Sequence, residues 1–493
     1  MTRSLSLLRK GVLAGAALSL VGGALGMTAL AAGAQEARSP HPPKPAPGPR
    51  SPKAAVTMST FATGQLQDTA VGNTSSGSGC GTNVAGEPSI HVSPVNNVFL
   101  SSERGLGGGT DVWRGLGQSG GAGASACSLD YRGQPNASQG IGLSGGDTDL
   151  AIAGAANKSG SYNVYVASLN LASVAVATSA DNGGSFSNFP VQFGVPADDR
   201  PWIAAYGADT SLLSFHDIAT NNIDILRSDS DGGPYTQISQ AIPASDFKVS
   251  NNQHGNLVID HRNTAGTVAN SAGKTPFWAF QSFVAPSTSS GSSQNEAYLA
   301  VSNDGGYTWV DRPVSCSTGS SQTSLAHNFP DVSVDPSGNL WMAWSNDTNV
   351  VTAVSNDHGA TWSCSGPVST NSAQAIFPWL VATSSGVDLV YYASTTAPGA
   401  NQSWSVYFAQ DAAGTAAGWT APSPVVTVHK GPVCEAGATC SSGRQLFDDF
   451  GVDTDQSGLA HIAYSHDAPD VGGSGTYTGY AVQTGGTAVG PPN

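Results

Sequence analysis

The side chains of this chain that could do chemistry include acidic groups at the beginnings of short apolar segments. Glu87, Asp331 and Asp449 each stand at such a position. Paired carboxylates can act as acid and base, or as acid and nucleophile, when a glycosidic bond is cleaved. We therefore predict Asp331, Asp449 and Glu87 as catalytic residues.

Cationic, imidazole, indole and further carboxylate groups occupy similar positions. These side chains can hydrogen-bond hydroxyl groups, and an indole face can stack on a sugar ring. The predicted substrate-binding residues are Arg104, Asp149, Arg200, Asp217, His254, Trp379 and His466, with Arg200 orienting the substrate. For any one of them the alternative is capping of an exposed loop N–H group. Strand direction is expected to place these residues at one end of the fold, and this shared location favours a binding site.

The apolar segments form a repeat. Each copy is a short strand entered through Pro or a polar residue, and most are followed by a turn and a second strand. The copies begin near Glu87, Asp147, Arg200, His254, Phe329, Phe377 and Phe447. Period-2 patterning and the copy number predict an all-β fold, a β-propeller with seven blades favoured. Six blades are the alternative, with the copy near His254 or Phe447 outside the ring.

The direction of these strands predicts which loops share a face. If each copy is the innermost strand of its blade, its beginning and the end of the second strand lie at one end of the ring, here called face one. Two of the four Glu residues of the folded part, Glu87 and Glu103, then lie there. The C-terminal strand 479–483 leaves the last blade one strand short, so we predict that 56–65 supplies its outer strand.

A second repeat has the pattern Ser-x-Asp-x-Gly-x-x-Trp. It occurs at 302–309 and 355–362, with weaker copies at 179–186 and 228–235. The Asp can accept bonds from turn N–H groups, a Gly can adopt positive φ, and the aromatic residue starts the next strand. These segments are predicted to be hairpins on face two, the end of the ring opposite face one.

This pattern resembles the Asp-box, or bacterial neuraminidase (BNR), repeat of sialidase-like β-propellers. The resemblance implies an Arg trio that holds a substrate carboxylate, a Tyr activated by Glu as nucleophile, and an Asp as general acid. The family's first Arg belongs to an Arg-Ile-Pro segment, where this chain has Glu87-Pro88-Ser89. Arg200 is the one Arg that precedes Pro at an inner-strand start, and Arg104 and Arg444 are candidates to join it.

The N-terminal region is predicted to lie outside the propeller. Residues 1–34 have the basic start, apolar stretch and small-residue cleavage site of a secretory signal peptide, with an uncleaved anchor as the alternative. Residues 35–55 are rich in Pro and form a linker. The propeller is then 56–493.

Six Cys residues in an exported chain predict disulfides, for which fifteen pairings are formally possible. Spacing favours Cys434 with Cys440 and Cys316 with Cys364, which leaves Cys80 and Cys127. The sequence indicates neither a metal site nor a cofactor. Residues 453–458 imitate a calcium loop, but Tyr464 stands where a Glu ligand is needed.

The composition and net charge of the chain limit the classes of partner that it can bind. Charged residues make up 11% of the chain and the formal net charge is −15, which argues against binding nucleic acid or an anionic membrane. We expect a secreted monomer whose partner is a glycan or glycoconjugate. Two functions remain open: a glycoside hydrolase that uses face-one carboxylates, and a non-catalytic carbohydrate- or protein-binding propeller.

Overall fold

The computed structural model describes residues 58–68, 80–105, 108–135, 146–170, 173–191, 198–262, 264–265, 270–318, 323–467 and 475–493. The predicted signal peptide (1–34) and linker (35–55) lie outside them. Of the described residues, none belongs to a helix long and apolar enough to cross a membrane.

Seven four-stranded antiparallel sheets make up the structure. The first strand of the chain is β1 (Thr60–Gln65). Blade 1 consists of β2 (Gly86–Val92), β3 (Val98–Glu103), β4 (Thr110–Gly115) and β5 (Asp130–Gly133). Blade 2 consists of β6 (Thr148–Ile152), β7 (Val164–Asn170), β8 (Ser173–Ser179) and β9 (Ser187–Val191). Blade 3 consists of β10 (Asp198–Tyr206), β11 (Thr210–Asp217), β12 (Asn222–Ser228) and β13 (Thr236–Gln240).

The remaining blades continue in the same order. Blade 4 consists of β14 (Gln253–Ile259), β15 (Ala279–Ala285), β16 (Glu296–Ser302) and β17 (Val310–Pro313), and blade 5 of β18 (Asp331–Val334), β19 (Leu340–Ser345), β20 (Val350–Ser355) and β21 (Ser363–Cys364). Blade 6 consists of β22 (Gln374–Ala382), β23 (Val387–Ser394), β24 (Ser403–Asp411) and β25 (Ser423–Lys430). Blade 7 consists of β26 (Gly451–Thr454), β27 (Ala460–His466), β28 (Tyr477–Gly485) and β1. Short 3-10 helices occur at Phe247–Ser250, Ser315–Ser317 and Gly437–Thr439.

Along a strand of a blade, successive side chains pack alternately against the preceding blade and against the following blade. In β19, Met342 packs with residues of blade 4, whereas its neighbour Trp341 packs with residues of blade 6. Successive residues of a strand point to opposite faces of the sheet, so a strand between two blades is apolar on both faces. All six residues of β19 are buried.

The N-terminal strand closes the ring, as predicted. β1 pairs antiparallel with β28, with Phe61 opposite Gln483 and Gly64 opposite Tyr480. The sheet order is β1-β28-β27-β26, so the last blade takes three strands from one end of the chain and one from the other. All seven inner-strand copies belong to blades, which excludes the six-bladed alternative.

The four copies of the second repeat, of which the one at 228–235 has Ser230 at the Asp position, are the turns between the third and fourth strands of blades 2 to 5, as predicted. In the turn at 302–309 the hydroxyl of Ser302 donates to Asp304 at 2.8 Å. The Asp304 carboxylate accepts the N–H groups of Tyr307 and Thr308, both at 3.0 Å. These bonds satisfy backbone donors of a tight turn, which is a structural role.

The three disulfides have the pairings that spacing favoured: Cys80–Cys127, Cys316–Cys364 and Cys434–Cys440. The first joins the segment after β1 to blade 1, the second links blades 4 and 5, and the third closes a loop before β26. Three disulfides indicate an oxidising, extracellular-type environment.

Candidate functional site

A cavity of about 640 Å³ opens at face one. Its wall is formed by residues from inner-strand starts, second-strand ends and the loop 435–448. The charged and imidazole side chains that line it are Glu103, Asp147, Asp198, Asp199, Arg200, His216, His254, Glu435, Arg444 and Asp448. This is the location that strand direction predicted for a site.

A repeated backbone feature places the residues at the channel end of the inner strands. Glu87, Arg200 and Phe377 each precede a Pro and adopt positive φ, at 55°, 44° and 53°. At each of these positions the pairing with the second strand shifts register. A bulge of this kind re-aims a side chain that would otherwise follow the alternation of the strand.

Arg200 is enclosed by protein groups. Its two terminal nitrogens bind Glu87 of blade 1 and Asp449 of blade 7, and its guanidinium carbon lies 4.0 Å from the centre of the Trp202 ring. Arg200 is 2% exposed and Glu87 is fully buried. Three predicted site residues, Arg200, Glu87 and Asp449, therefore meet, but as an internal ion cluster at the edge of the cavity.

A second carboxylate cluster stands beside the first. Oxygen atoms of Glu87, Glu103 and Asp147 all lie within 4.8 Å of one another. Burial, reinforced by the charge of Asp147, raises the pKa of both Glu87 and Glu103. Burial also raises the pKa of Asp147 to about 6, against the opposing effect of Arg200. Carboxyl groups this close hold a proton between them near neutral pH.

The cations of the cavity wall are already paired. Arg444 binds Asp448 through two hydrogen bonds of 2.5 and 2.6 Å, and the two terminal nitrogens of Arg200 bind Glu87 and Asp449. Six carboxyl side chains and two guanidinium groups occur among the described residues that line the cavity. The wall is therefore negative on balance, and it favours neutral or cationic ligands over anionic ones.

Two histidines stack in the wall. The rings of His216 and His254 lie 5.6 Å apart at 19°, and Nε2 of His254 donates to the carbonyl oxygen of Arg200 at 2.7 Å. Burial and the neighbouring His216 lower the pKa of His254 to about 3, and burial lowers the pKa of His216. Both rings are neutral at pH 7.

Asp331 and Asp149 lie between neighbouring inner strands. Asp331 of blade 5 accepts the N–H of Leu380 in blade 6 at 2.6 Å, and Asp149 of blade 2 accepts that of Ile203 in blade 3 at 2.9 Å. Asn256 makes the same link from blade 4 to Val332 of blade 5 at 2.8 Å. These polar side chains join blade to blade through buried hydrogen bonds.

The other predicted binding residues have contacts away from the face-one cavity. Arg104 pairs with Asp68 at 3.2 Å, and Asp217 accepts the N–H of Ala219 at 2.8 Å within its own turn. His466 packs between Tyr464 and Tyr477. Trp379 packs on Trp202, with the rings 5.6 Å apart, and borders a deeper cavity.

That deeper cavity has a volume of about 460 Å³. Small apolar residues of the inner strands, among them Ala151, Ala205 and Val334, line much of it. The C-terminal residues 491–493 also border it, and Pro492 pairs with Thr383 of blade 6. The C-terminal segment thus reaches the central channel.

Of the charged and imidazole side chains of the cavity wall, only Arg200 and His254 were selected from the sequence as site residues, and Arg444 was named only as a candidate to join Arg200 in an Arg trio. Those not selected include Glu103, Asp147 and His216. Glu103, Asp147 and His216 stand at inner-strand starts or second-strand ends, so their positions marked them as candidates. Their sequence neighbourhoods do not distinguish them from Asp149 or Asp331, because side-chain direction decides which group reaches the cavity.

No protein-family model matches this chain, and no curated protein matches it by sequence. Solved structures do match it. A protein of unknown function from Dyadobacter fermentans is 12% identical, with a TM-score of 0.43 over 86% of this chain and 98% of that one. A GH74 xyloglucanase from Xanthomonas campestris is 12% identical, with a TM-score of 0.44 over 85% of this chain and 53% of that one.

A sialidase described as Hadza microbial sialidase Hz136 is 11% identical, with a TM-score of 0.40 over 80% of this chain and 74% of that one. The chain spans about half the length of the xyloglucanase it matches. The propeller assignment itself rests on the seven closed sheets described above.

Proposed function

We propose that this protein is a secreted, sialidase-like propeller that hydrolyses glycosidic bonds at the face-one cavity. The observation that carries the proposal is the convergence of Glu103 and Asp147 in the wall of that cavity, with Glu87 behind them. The sialidase-like assignment itself is supported by the three hairpins that contain Ser-x-Asp, at 179–186, 302–309 and 355–362, and by the weaker copy at 228–235.

Asp147 and Glu103 divide the roles of acid and nucleophile. In the singly protonated form of the pair, Asp147 holds the proton and donates it to the glycosidic oxygen as the bond to the leaving group breaks, while the ionised Glu103 bonds to the anomeric carbon. Water then attacks that carbon and gives a proton to Asp147, which releases Glu103. One oxygen of each lies within 4.8 Å of the other, below the about 6.5–9.5 Å of inverting enzymes, so a retaining reaction fits the pair better than an inverting one.

The Arg pairings distinguish this site from the Arg trio of sialidases. Arg200 and Arg444 are held by carboxylates of the protein, and Arg104 pairs with Asp68 away from the cavity. A substrate carboxylate would have to displace these partners and approach six acidic side chains. We therefore expect a neutral or amino sugar at the cleavage site and not a sialic acid.

The domain boundaries complete the proposal: a signal peptide at 1–34, a linker at 35–55 and the propeller at 56–493. Export is supported by the three disulfides. A secreted monomer that meets its glycan outside the cell remains our prediction.

The test is a screen of aryl glycosides of neutral sugars, amino sugars and sialic acid. We expect turnover of a neutral or amino glycoside, and a loss of about 10²–10⁴-fold in rate in Asp147→Asn and Glu103→Gln. Asp357→Asn is the matched control because its hydrogen bonds lie within the hairpin 355–362, away from the cavity wall. Turnover of sialosides alone, or full activity in both variants, would contradict the proposal.

Glycan binding without catalysis is the second candidate. It is favoured by the internal contacts of Glu87, Asp449 and Asp331, the carboxylates predicted as catalytic from the sequence. This alternative predicts retention of neutral glycans on an array by the wild type, with no turnover in the screen. A wild type that neither binds nor cleaves any glycan would contradict both candidates.

A further inference from the structure

Three side chains of metal-binding type meet beside the face-one cavity. His327 comes from the loop before β18, Asp347 from the loop between β19 and β20, and Glu435 from the loop closed by the Cys434–Cys440 disulfide. One ligand atom of each lies within 4.8 Å of the others. We propose that these residues bind one divalent cation, zinc by preference, and that the ion fastens the disulfide loop to blade 5.

The donor set fits zinc. One imidazole nitrogen and two carboxylate oxygens are ligands that zinc accepts at about 2.0–2.2 Å, with water in the fourth position. Tetrahedral ligands at that radius stand about 3.3–3.5 Å apart. Nδ1 of His327 and Oε2 of Glu435 lie 2.7 Å apart. Admitting the ion therefore requires these two atoms to separate by less than about 1 Å.

The side chains of Asp347 and His327 are also held from outside the cluster, and the backbone next to Glu435 is fixed within its loop. Gln374 donates to Oδ1 of Asp347 at 2.8 Å. The carbonyl oxygen of His327 accepts the N–H of Phe377 at 3.1 Å, and its ring hydrogen-bonds the backbone of Ser324. Beside Glu435, the N–H of Cys434 donates to the carbonyl oxygen of Gly443 at 2.8 Å. Partners of this kind orient ligands before the metal arrives.

The net charge of the cluster and its exposure to solvent also favour a bound cation. Two carboxylates face a single imidazole, so a dication balances the cluster. The His327 and Glu435 side chains are 17% and 23% exposed, which leaves room for a water ligand and a path for the ion. The other close carboxylate group, Glu87 with Glu103 and Asp147, has no imidazole and is buried next to Arg200, whose positive charge repels a cation.

The consequence for the fold concerns the loop 431–446. Glu435 and Arg444 line the cavity from this loop, and Glu435 connects it to His327. A cation shared by His327, Asp347 and Glu435 would add two bonds between the disulfide loop and blade 5. The loop that forms one side of the cavity then becomes more rigid when zinc is bound.

The test is calorimetric titration of untagged, chelator-treated, full-length protein with zinc chloride, together with hydrogen exchange of 431–446. We expect one zinc per chain and slower exchange in this loop. His327→Gln and Asp347→Asn should each weaken binding by at least about tenfold, since even outer partners of a zinc ligand are worth about 10–100-fold. His358→Gln, which alters a histidine stacked on Trp278 at 4.1 Å, should leave binding unchanged.

Two results would overturn the assignment. The first is the absence of stoichiometric zinc binding by the wild type. The second is binding that survives in both His327→Gln and Asp347→Asn, above all if Glu103→Gln abolishes it, because the ion would then belong to the other carboxylate cluster. His327→Gln and Asp347→Asn change partly buried side chains, and the unfolding midpoints of these two variants without metal show whether they fold normally.

Discussion

Arg200 shows at the scale of a single residue how this site is held. Its guanidinium binds Glu87 and Asp449 and lowers the pKa of both, which partly offsets the raising effect of burial, and it packs on the face of Trp202. Burial opposes its charge, but the nearby carboxylates Asp449 and Glu87 raise the pKa of Arg200. Its positive charge is therefore a fixed part of the fold.

Arg200→Met should destabilise the propeller by about 3–5 kcal/mol, because it leaves two buried carboxylates without their partner. Urea unfolding at pH 7 measures this free energy. The loss should shrink at pH 5, where Glu87 and Asp449 take up protons. An equal loss at both pH values would show that the cost comes from packing on Trp202 and not from charge.

Asp147 determines the pH dependence of the proposed reaction. Its raised pKa of about 6 means that the acid form predominates below pH 6 and is lost above it. We expect kcat/KM to fall as the pH rises through about 6, by about tenfold for each further unit. A pH series from 4 to 9 on the best substrate measures this, and a rate that increases over that interval would assign Asp147 the role of base.

At the scale of the strand, buried polar side chains connect the inner strands. Asp149, Asn256 and Asp331 each accept an N–H group of the next inner strand. Inner strands of neighbouring blades have no backbone ladder between them, so side chains supply these bonds. The bulges at Glu87 and Arg200 have a different effect: they direct side chains toward the channel and not toward the next inner strand.

Substitutions of Asp331 can separate a structural role of this carboxylate from a catalytic one. Asp331→Ala leaves the N–H of Leu380 without an acceptor and should cost about 1–3 kcal/mol, whereas Asp331→Asn keeps an acceptor oxygen. Unfolding free energies measure both. We expect Asp331→Asn to retain turnover, and a loss as large as that of Asp147→Asn would establish Asp331 as catalytic.

The same residue has a defined effect of pH on stability. Burial raises the pKa of Asp331, so the folded protein holds its proton more tightly than the unfolded chain. The resulting stabilisation is complete below about pH 4, the ordinary range of Asp, and is lost as the pH rises through the raised value. Asp331→Asn should therefore flatten the decrease in stability that follows as the pH rises above the ordinary range of Asp.

At the scale of the whole molecule, closure depends on one strand. β1 covers the outer edge of β28, and Phe61 contacts Phe408 of blade 6 with ring centres 5.1 Å apart. An uncovered edge would expose a row of backbone donors and acceptors. The N-terminal strand thus stabilises the last blade and protects the protein from edge-to-edge association.

A chain that begins at residue 56 should fold and unfold like the chain that begins at residue 35. A chain that begins at residue 67 lacks β1 and should unfold at a lower temperature and aggregate through β28. Thermal unfolding and light scattering measure both effects. Equal midpoints for the three chains would show that the last blade is stable with three strands.

Much of the fold could be predicted from local patterns. The inner-strand copies and hairpin turns depend on residues a few positions apart, and the disulfides were anticipated from loop spacing. The contacts of Arg200 could not be predicted in this way. Its partners Glu87 and Asp449 are 113 and 249 positions distant along the chain, and ring closure brings blades 1, 3 and 7 together around it.

By itself the sequence predicted a β-propeller closed by its N-terminal strand, with seven blades favoured over six, and the end of the ring at which polar residues gather. Alternation, turn residues and strand direction are local properties, which explains this success. The tertiary structure decided which acidic side chains reach the cavity. Asp147 and Asp149 stand two positions apart in the chain, yet Asp147 lines the cavity and Asp149 binds the next blade. Side-chain direction in the closed ring gives each of them its role.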